Sequence, residues 1–507
     1  MDYKFLNYSP KFQLYQEQGS PASFFYYTGI FDQSVSSIFK TLDSGSFPSN
    51  LKGNFAFVFH NENRMVGAVD HMPTVNLFYS CRPFEIAASH ICRDFNYKLG
   101  EYKNNWITQV QVKMFLGGSV GTETHNHLVK RLEAGTYFEH DKTSGEFAVK
   151  LYIDLFSHHI DNAITKGDIA DIVEQIIEEN TRDQFNLLWS SGTDSNCILG
   201  FIRKLKRTDN CNLISLFSNS NVTDERPTCE YLEDVYGLKA NYVDLGQTVG
   251  ITRGAIARAR NLPKDSDYVQ NLARTWDAFW WDPNIFQKYE GLLDWQFLQY
   301  PTLTGEVGDQ LFGSRFGKVI ISYLAQQPNA TSRQIAELFV MSDAFRFIQT
   351  SVVHRQDFLN NLSNGAPAPG VNPPLPVNFR KIAWDHNGDW CSDVWNKIDT
   401  DDTINKIELL LYMHKSSHRV YNYTQLKKCT FVHPFSDYRL FHTIFKTPGH
   451  WKIYNGKTRR LSLDIIKDYV DPGPWTWPKS GIQIQMEQKQ KPGLEKELCN
   501  VVRATNQ

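Results

Sequence analysis

The chain has no excess of charge of either sign. Lys and Arg total 53 against 55 Asp and Glu, a formal net charge of −2. That removes the electrostatic case for nucleic acid or an anionic membrane as the main partner. It has no C-x-x-C pair. Its eight cysteines, Cys81, Cys92, Cys197, Cys211, Cys229, Cys391, Cys429 and Cys499, are scattered, which argues for reduced thiols and against a zinc site or disulfide frame. No uncharged apolar run approaches roughly 18 residues, so no membrane span is expected. Met1-Asp2-Tyr3-Lys4-Phe5 has neither the basic nor the apolar region of a secretory leader, and a cytoplasmic location is the expectation. The histidines show no metal spacing, and His158-His159 reads as a surface pair. No internal repeat is visible.

What is present is a chain of 507 residues, enough for two or more domains with real cores. Hydrophobic residues at 41% and charged residues at 21% are the proportions of a globular protein. Aromatics reach 14%, enough for large packed cores or an aromatic-lined pocket. The region 270–350 reads as helical and holds Trp276, Phe279, Trp280, Trp281 and Trp295. Core packing accounts for this cluster, and a pocket wall for a bulky acceptor is the alternative. The Pro- and Gly-rich segment 364–374 reads as an exposed loop.

The first ~155 residues read as short strands and turns. Phe55-Ala56-Phe57-Val58-Phe59 is an apolar strand, 60–64 a turn-like break, and Met65-Val66-Gly67-Ala68-Val69 the returning strand. Leu77-Phe78-Tyr79 and Thr136-Tyr137-Phe138-Glu139 continue the pattern. The texture then changes. Ile169, Ile172, Val173, Ile176 and Ile177 recur at helical spacing, with Asp168 placed as the N-cap. After them come a strand 185–189, a helix from Ser195, a strand 213–217, a helix from Thr228 and a strand 242–245. Strands alternating with helices predict a parallel sheet with helices on its faces.

Within that pattern, Trp189-Ser190-Ser191-Gly192-Thr193-Asp194-Ser195 reads as strand, tight small-residue loop, then helix. Such a loop aims backbone N–H groups and hydroxyls at one spot beside a helix N-terminus, which suits a phosphate. Asp194 supplies hard carboxylate oxygens that suit Mg²⁺. The competing reading is a Ser/Gly turn with Asp194 as a helix cap.

The order of residues resembles the pyrophosphate-binding loop, S-G-G-x-D-S, of enzymes that split ATP into AMP and pyrophosphate, with Ser191 standing where that loop has glycine. About 115 residues on, Leu303-Thr304-Gly305-Glu306-Val307-Gly308-Asp309-Gln310-Leu311-Phe312-Gly313 resembles the S-G-E-G-x-D-E-x-F-G segment of the asparagine synthetase family, which includes β-lactam synthetases. Ser314-Arg315-Phe316 replaces the family's G-G-Y. The stretch 432–440 resembles its P-F-L-D-x-x-L segment, and Trp477-Pro478-Lys479-Ser480-Gly481-Ile482 its late lysine loop. In the first part, 51–59 resembles the L-x-G-x-F-A-F strand of class II glutamine amidotransferases, and 69–79 their R-D-x-x-G-x-x-P-L-Y segment.

The resemblance implies two domains. Residues 1–155 would be a layered, β-rich, Ntn-hydrolase-like glutaminase domain. Residues 156–507 would be a parallel-sheet, pyrophosphate-loop synthetase domain of the adenine nucleotide α-hydrolase type. It implies an AMP-forming amide ligase using ATP and Mg²⁺. Leu188, Ser190, Ser191, Gly192, Thr193, Asp194, Ser195, Phe217, Thr304 and Gly305 would bind the nucleotide. Asp194 and Asp309 would bind the metal. Glu306 would orient or deprotonate the incoming amine, and Lys479 would neutralise charge developing at the α-phosphate. Class II glutaminases need a cysteine at position two, whose own α-amine serves as base. This chain has Asp2, and no R-G-P-D or N-G-E-I-Y-N segment between residues 1 and 54. A glutaminase fold without its chemistry is therefore expected. The partners would be a carboxylate and a nitrogen donor, ammonia or an amine, with a homodimer left open. Three alternatives stand beside this: an ammonia-using asparagine synthase, a pyrophosphate-loop RNA-modifying enzyme, and an inactive regulatory homologue.

Overall fold

The computed structural model describes residues 2–5, 12–17, 22–72, 75, 77–82, 85–89, 122, 128–153, 160–217, 225–244, 299–313, 431–452 and 459–470. Within them the architecture is mixed α/β, with an antiparallel, a mixed and a parallel sheet. The aromatic cluster 276–295, the segment 364–374, His158-His159, Arg315, the loop 477–482 and Cys92, Cys391, Cys429 and Cys499 lie outside the described residues. The chain divides into one unit of Met1–Asn162, Gln310–His418 and Phe445–Thr458, and a second of Ala163–Asp309, Arg419–Ile444 and Arg459–Gln507. Among the described residues no helix is long and apolar enough to cross a membrane.

The first unit holds two sheets. Strands β1 (Asp2–Phe5), β6 (Phe78–Arg82), β7 (Glu85–Ser89) and β8 (Lys130–Arg131) form a mixed sheet in the order β1-β7-β6-β8. Strands β2 (Gln13–Tyr15), β3 (Phe24–Phe31), β4 (Gly53–His60), β5 (Arg64–Val69), β9 (Thr136–Asp141) and β10 (Phe147–Leu151) form an antiparallel sheet in the order β10-β9-β5-β4-β3-β2. Helix α1 (Val35–Asp43) lays Phe39 edge-on to Phe59 at 5.8 Å. The run 55–59 in β4 is buried on both faces, so it reads as continuous apolar residues rather than alternation. Tyr79 of β6 meets Phe138 of β9 at 5.5 Å, which joins the two sheets. Asp70 ends the hairpin: its carboxylate accepts the Phe55 N–H at 2.8 Å and the Met72 N–H at 2.6 Å.

The second unit is built on five parallel strands: β11 (Phe185–Trp189), β12 (Cys211–Phe217), β13 (Ala240–Asp244), β14 (Thr302–Leu303) and β15 (Phe431–Val432). Their order is β13-β12-β11-β14-β15. The chain leaves β11 to one side for β12 and β13, then returns to its other side for β14 and β15. The reversal point lies between β11 and β14, at the centre of the sheet. Buried Asn186 stitches three strands here, donating to Thr302 Oγ1 at 3.0 Å and accepting from Asn212 Nδ2 at 3.2 Å.

Helices α2 (Lys166–Asn180), α3 (Thr193–Lys204) and α4 (Arg226–Tyr236) lie between the strands in sequence. The N-cap of α2 is Thr165, not Asp168 as the apolar spacing suggested. Thr165 Oγ1 accepts the Asp168 N–H, and the Asp168 carboxylate accepts the Thr165 N–H at 2.7 Å, a reciprocal capping box. Asp168 is thus the third helical residue, and helical spacing alone does not separate that position from the cap. Thr165→Ala is expected to cost about 1 kcal/mol in urea unfolding. An unchanged midpoint would show that the cap contributes nothing.

The short helices α5 (Gly308–Leu311), α6 (Tyr438–Ile444) and α7 (Arg460–Asp464) follow. Arg439 of α6 grips Glu179 of α2 through two hydrogen bonds of 2.9 and 2.7 Å. Gly200 lets α3 sit against the segment after α7. A Cβ there would meet Val470 at 2.9 Å and Ile466 at 3.1 Å.

Candidate nucleotide-binding site

Carboxyl ends of parallel strands, at a reversal of strand order, are where α/β sheets bind ligands. Here that place is filled by two loops, 190–192 after β11 and 304–307 after β14.

The first loop is locked from beneath. Asn196, fully buried, donates through Nδ2 to the carbonyls of Ser190 at 3.0 Å and Gly192 at 2.9 Å. Its Oδ1 accepts the Trp189 indole N–H at 3.0 Å. Ser195 Oγ lies 3.1 and 3.2 Å from the same two carbonyls and accepts the Ser190 N–H at 3.2 Å. Ser190 Oγ accepts the Gly192 N–H at 3.1 Å. Ser190 and Ser195 therefore spend their hydroxyls holding the loop, where the sequence suggested they would face a phosphate. The Ser191 and Thr193 hydroxyls make no hydrogen bond among the described residues. The N-cap of α3 is Gly192, with no side-chain cap. Asp194 is thus inside the first turn and is not the cap, and the first-turn amides end the helix beside the loop.

The second loop presses on Asp194. A Cβ on Gly308 would lie 2.7 Å from Asp194 Cγ and 2.8 Å from Oδ1. A Cβ on Gly305 would lie 2.9 Å from Asp194 Cβ and 3.0 Å from the Ser195 nitrogen. Only glycine admits this approach. Between them Val307 sits at φ 74° and is buried. A β-branched residue with positive φ is an outlier that costs roughly 1–3 kcal/mol and persists only where its surroundings hold it, as happens at functional sites.

Asp194 Oδ1 is buried and has no hydrogen-bond partner among the described residues. Its Oδ2 faces Arg459 Nη1 at 3.7 Å. Arg459 precedes α7 at φ 59° and is held in place because α7 packs on α3, where Cys197 Sγ reaches the Ser462 carbonyl at 3.8 Å. Thr304 is buried and bonded to His433 at 2.7 Å through Oγ1 and Nδ1, and it accepts the Glu306 N–H at 3.3 Å. Burial pushes the thiol of Cys229, near Ser191, up to about 12, so it is a neutral packing group and not a nucleophile.

Of the residues singled out from sequence, the loop 190–195, Thr304, Gly305 and Glu306 come together here. Leu188, half-buried, belongs to the central strand beneath them, and Phe217 ends the neighbouring β12. The Arg226 guanidinium stacks over Phe217, 4.3 Å from its ring centre. Asp309 follows Gly308 in α5, but its side chain lies outside the described residues, as does Lys479 altogether. Asn196, His433 and Arg459 are additions. Arg459 stands in the basic run Lys457-Thr458-Arg459-Arg460, a weak signal; His433 lies in the resembled stretch 432–440, and Asn196 carries none. Among the described residues no group of three or more His, Cys, Asp or Glu side chains forms a metal cluster. No protein-family model matches the sequence, and no curated protein matches it.

Proposed function

We propose that this chain is an ATP-dependent, AMP-forming amide ligase of the asparagine synthetase kind. One observation carries the reading. Two small-residue loops abut at the reversal point of a parallel sheet, with the Asp194 carboxylate pressed between backbone and Arg459. Open amides at a helix start, a cation and a half-satisfied carboxylate suit a metal-bound polyphosphate.

On this reading a substrate carboxylate oxygen attacks the α-phosphorus of ATP, pyrophosphate leaves, and nitrogen displaces AMP from the acyl-adenylate. The α3 amides and Arg459 meet the charge on the phosphates. Asp194 fits Mg²⁺ through its unpartnered oxygen, and Asp309 is proposed beside it. Bound there, the ion neutralises phosphate charge. Thr304, Gly305, Leu188 and Phe217 are assigned to the nucleoside, Glu306 to the incoming amine, and Lys479 to charge growing at the α-phosphate. Holding both reactants in one place supplies much of the rate.

The same reading makes residues 1–155 an Ntn-hydrolase-like glutaminase domain without its nucleophile, since Asp2 replaces cysteine. Nitrogen then comes from ammonia or an amine. The test is exchange of labelled pyrophosphate into ATP, stimulated by a pool of carboxylates that includes aspartate. No exchange with any carboxylate, together with no ATP binding, would sink the ligase. Glutamate released from glutamine would overturn the reading of residues 1–155.

A further inference from the structure

We propose that His433 is a positioning residue of this site. In its neutral Nε2–H form it accepts the Thr304 hydroxyl proton at Nδ1, and so fixes the turn that presents Glu306. The consequence for Glu306 rests on the ligase reading; the hydrogen-bond assignment does not.

Thr304 follows β14 and His433 follows β15, and both are buried. Their side chains meet at 2.7 Å, and the Thr304 N–H donates to the Val432 carbonyl at 3.0 Å. Thr304 Oγ1 already accepts the Glu306 N–H. A hydroxyl has one proton to give. Among the described residues Nδ1 is the only acceptor that Thr304 Oγ1 reaches. With the ring proton on Nδ1, both the buried Thr304 hydroxyl proton and the Nε2 lone pair go unsatisfied; with it on Nε2, the Thr304–Nδ1 bond forms and only the Nε2–H makes no hydrogen bond among the described residues, the smaller cost. The ring proton therefore sits on Nε2. Giving up its own proton makes the Thr304 oxygen a better acceptor for the Glu306 N–H. The relay runs from Nδ1 through Oγ1 to the Glu306 amide. It ties β15 to a turn 129 residues earlier. That turn needs a tie, because it holds Val307 at positive φ.

The full-length protein labelled with ¹⁵N-histidine tests the tautomer. The His433 resonances are those lost in His433→Asn. Long-range ¹H–¹⁵N correlation should show Nε2 protonated and Nδ1 bare at neutral pH, with the Nδ1 signal moving in Thr304→Val. An imidazolium, or a proton on Nδ1, overturns the assignment. Positioning is read from the Kd for Mg·ATP. His433→Leu and Thr304→Val are each expected to weaken binding about tenfold, and the double variant no further. His433→Asn places an amide oxygen near the Nδ1 position and should restore most of the affinity. Equal affinities for His433→Leu and His433→Asn would overturn the positioning role while leaving the ligase reading intact. Wild-type protein that binds no ATP would sink the ligase reading and the role for Glu306, and the tautomer would still be decided by the spectra.

Discussion

Asp194→Asn is expected to lower pyrophosphate exchange by about 10²–10³-fold and to make ATP affinity insensitive to Mg²⁺. The side chain keeps its shape but loses its charge, so the press of Gly305 and Gly308 against it is unaltered. Two effects must be separated. The substitution leaves Arg459 without the anion it faces at 3.7 Å. Breaking a well-bonded buried pair costs about 3–5 kcal/mol. This pair is longer than a hydrogen bond and part-exposed, with side-chain exposures of 10% and 15%, so a loss of about 1–2 kcal/mol is expected. A domain of ordinary stability, about 5–15 kcal/mol, would stay more than 99% folded after such a loss. Unfolding therefore cannot produce a hundredfold drop in rate. Wild-type exchange by a folded Asp194→Asn protein would remove Asp194 from the chemistry and leave it a helix-start charge worth some tenths of a kcal/mol.

What could be read from the sequence divides by distance along the chain. Apolar runs such as 55–59, 185–189 and 213–217 are local signals, and each is a strand. The loop 190–192 is legible for the same reason, since strand, small residues and helix follow one another directly. Contacts that bring remote segments together leave no local period. Asn196 looks like an ordinary helical asparagine until its amide is seen to hold two loop carbonyls. His433 and Thr304 are far apart in sequence, and Arg459 reaches Asp194 only because α7 packs on α3. Even within one turn the pattern misled: Thr165 and Asp168 satisfy each other, so either could pass for the cap. The serines are a different case: their residue type fits a phosphate loop, and the hydroxyls of Ser190 and Ser195 are bonded within that loop, to its own amides and carbonyls. Val307 stands where the resembled segment has glycine, and the backbone takes the positive φ regardless.

The press of the second loop on the first can be tested without touching any charged group. Gly308→Ala adds one methyl group, and because Gly308 does not have a positive φ the new residue suffers no backbone strain. The methyl would overlap Asp194 Cγ at 2.7 Å and both Cβ and Oδ1 at 2.8 Å. Rotation of the carboxylate away from the turn relieves Cγ and Oδ1, but Cβ stays in place, so the turn must also shift by a few tenths of an ångström. The expected result is a stability loss of about 2 kcal/mol, within the range for overpacking, with Mg·ATP affinity and exchange down by about 10²-fold. Gly305→Ala should behave differently. Its methyl meets the Ser195 nitrogen at 3.0 Å and the Asp194 carbonyl carbon at 3.1 Å, both backbone atoms of α3 that cannot rotate aside. It should cost about 3 kcal/mol and lose activity together with stability. The contrast separates a loop that merely packs from one that aims a carboxylate. If Gly308→Ala binds Mg·ATP as the wild type does, the Asp194 carboxylate need not lie against this turn, and the junction of the two loops is packing alone.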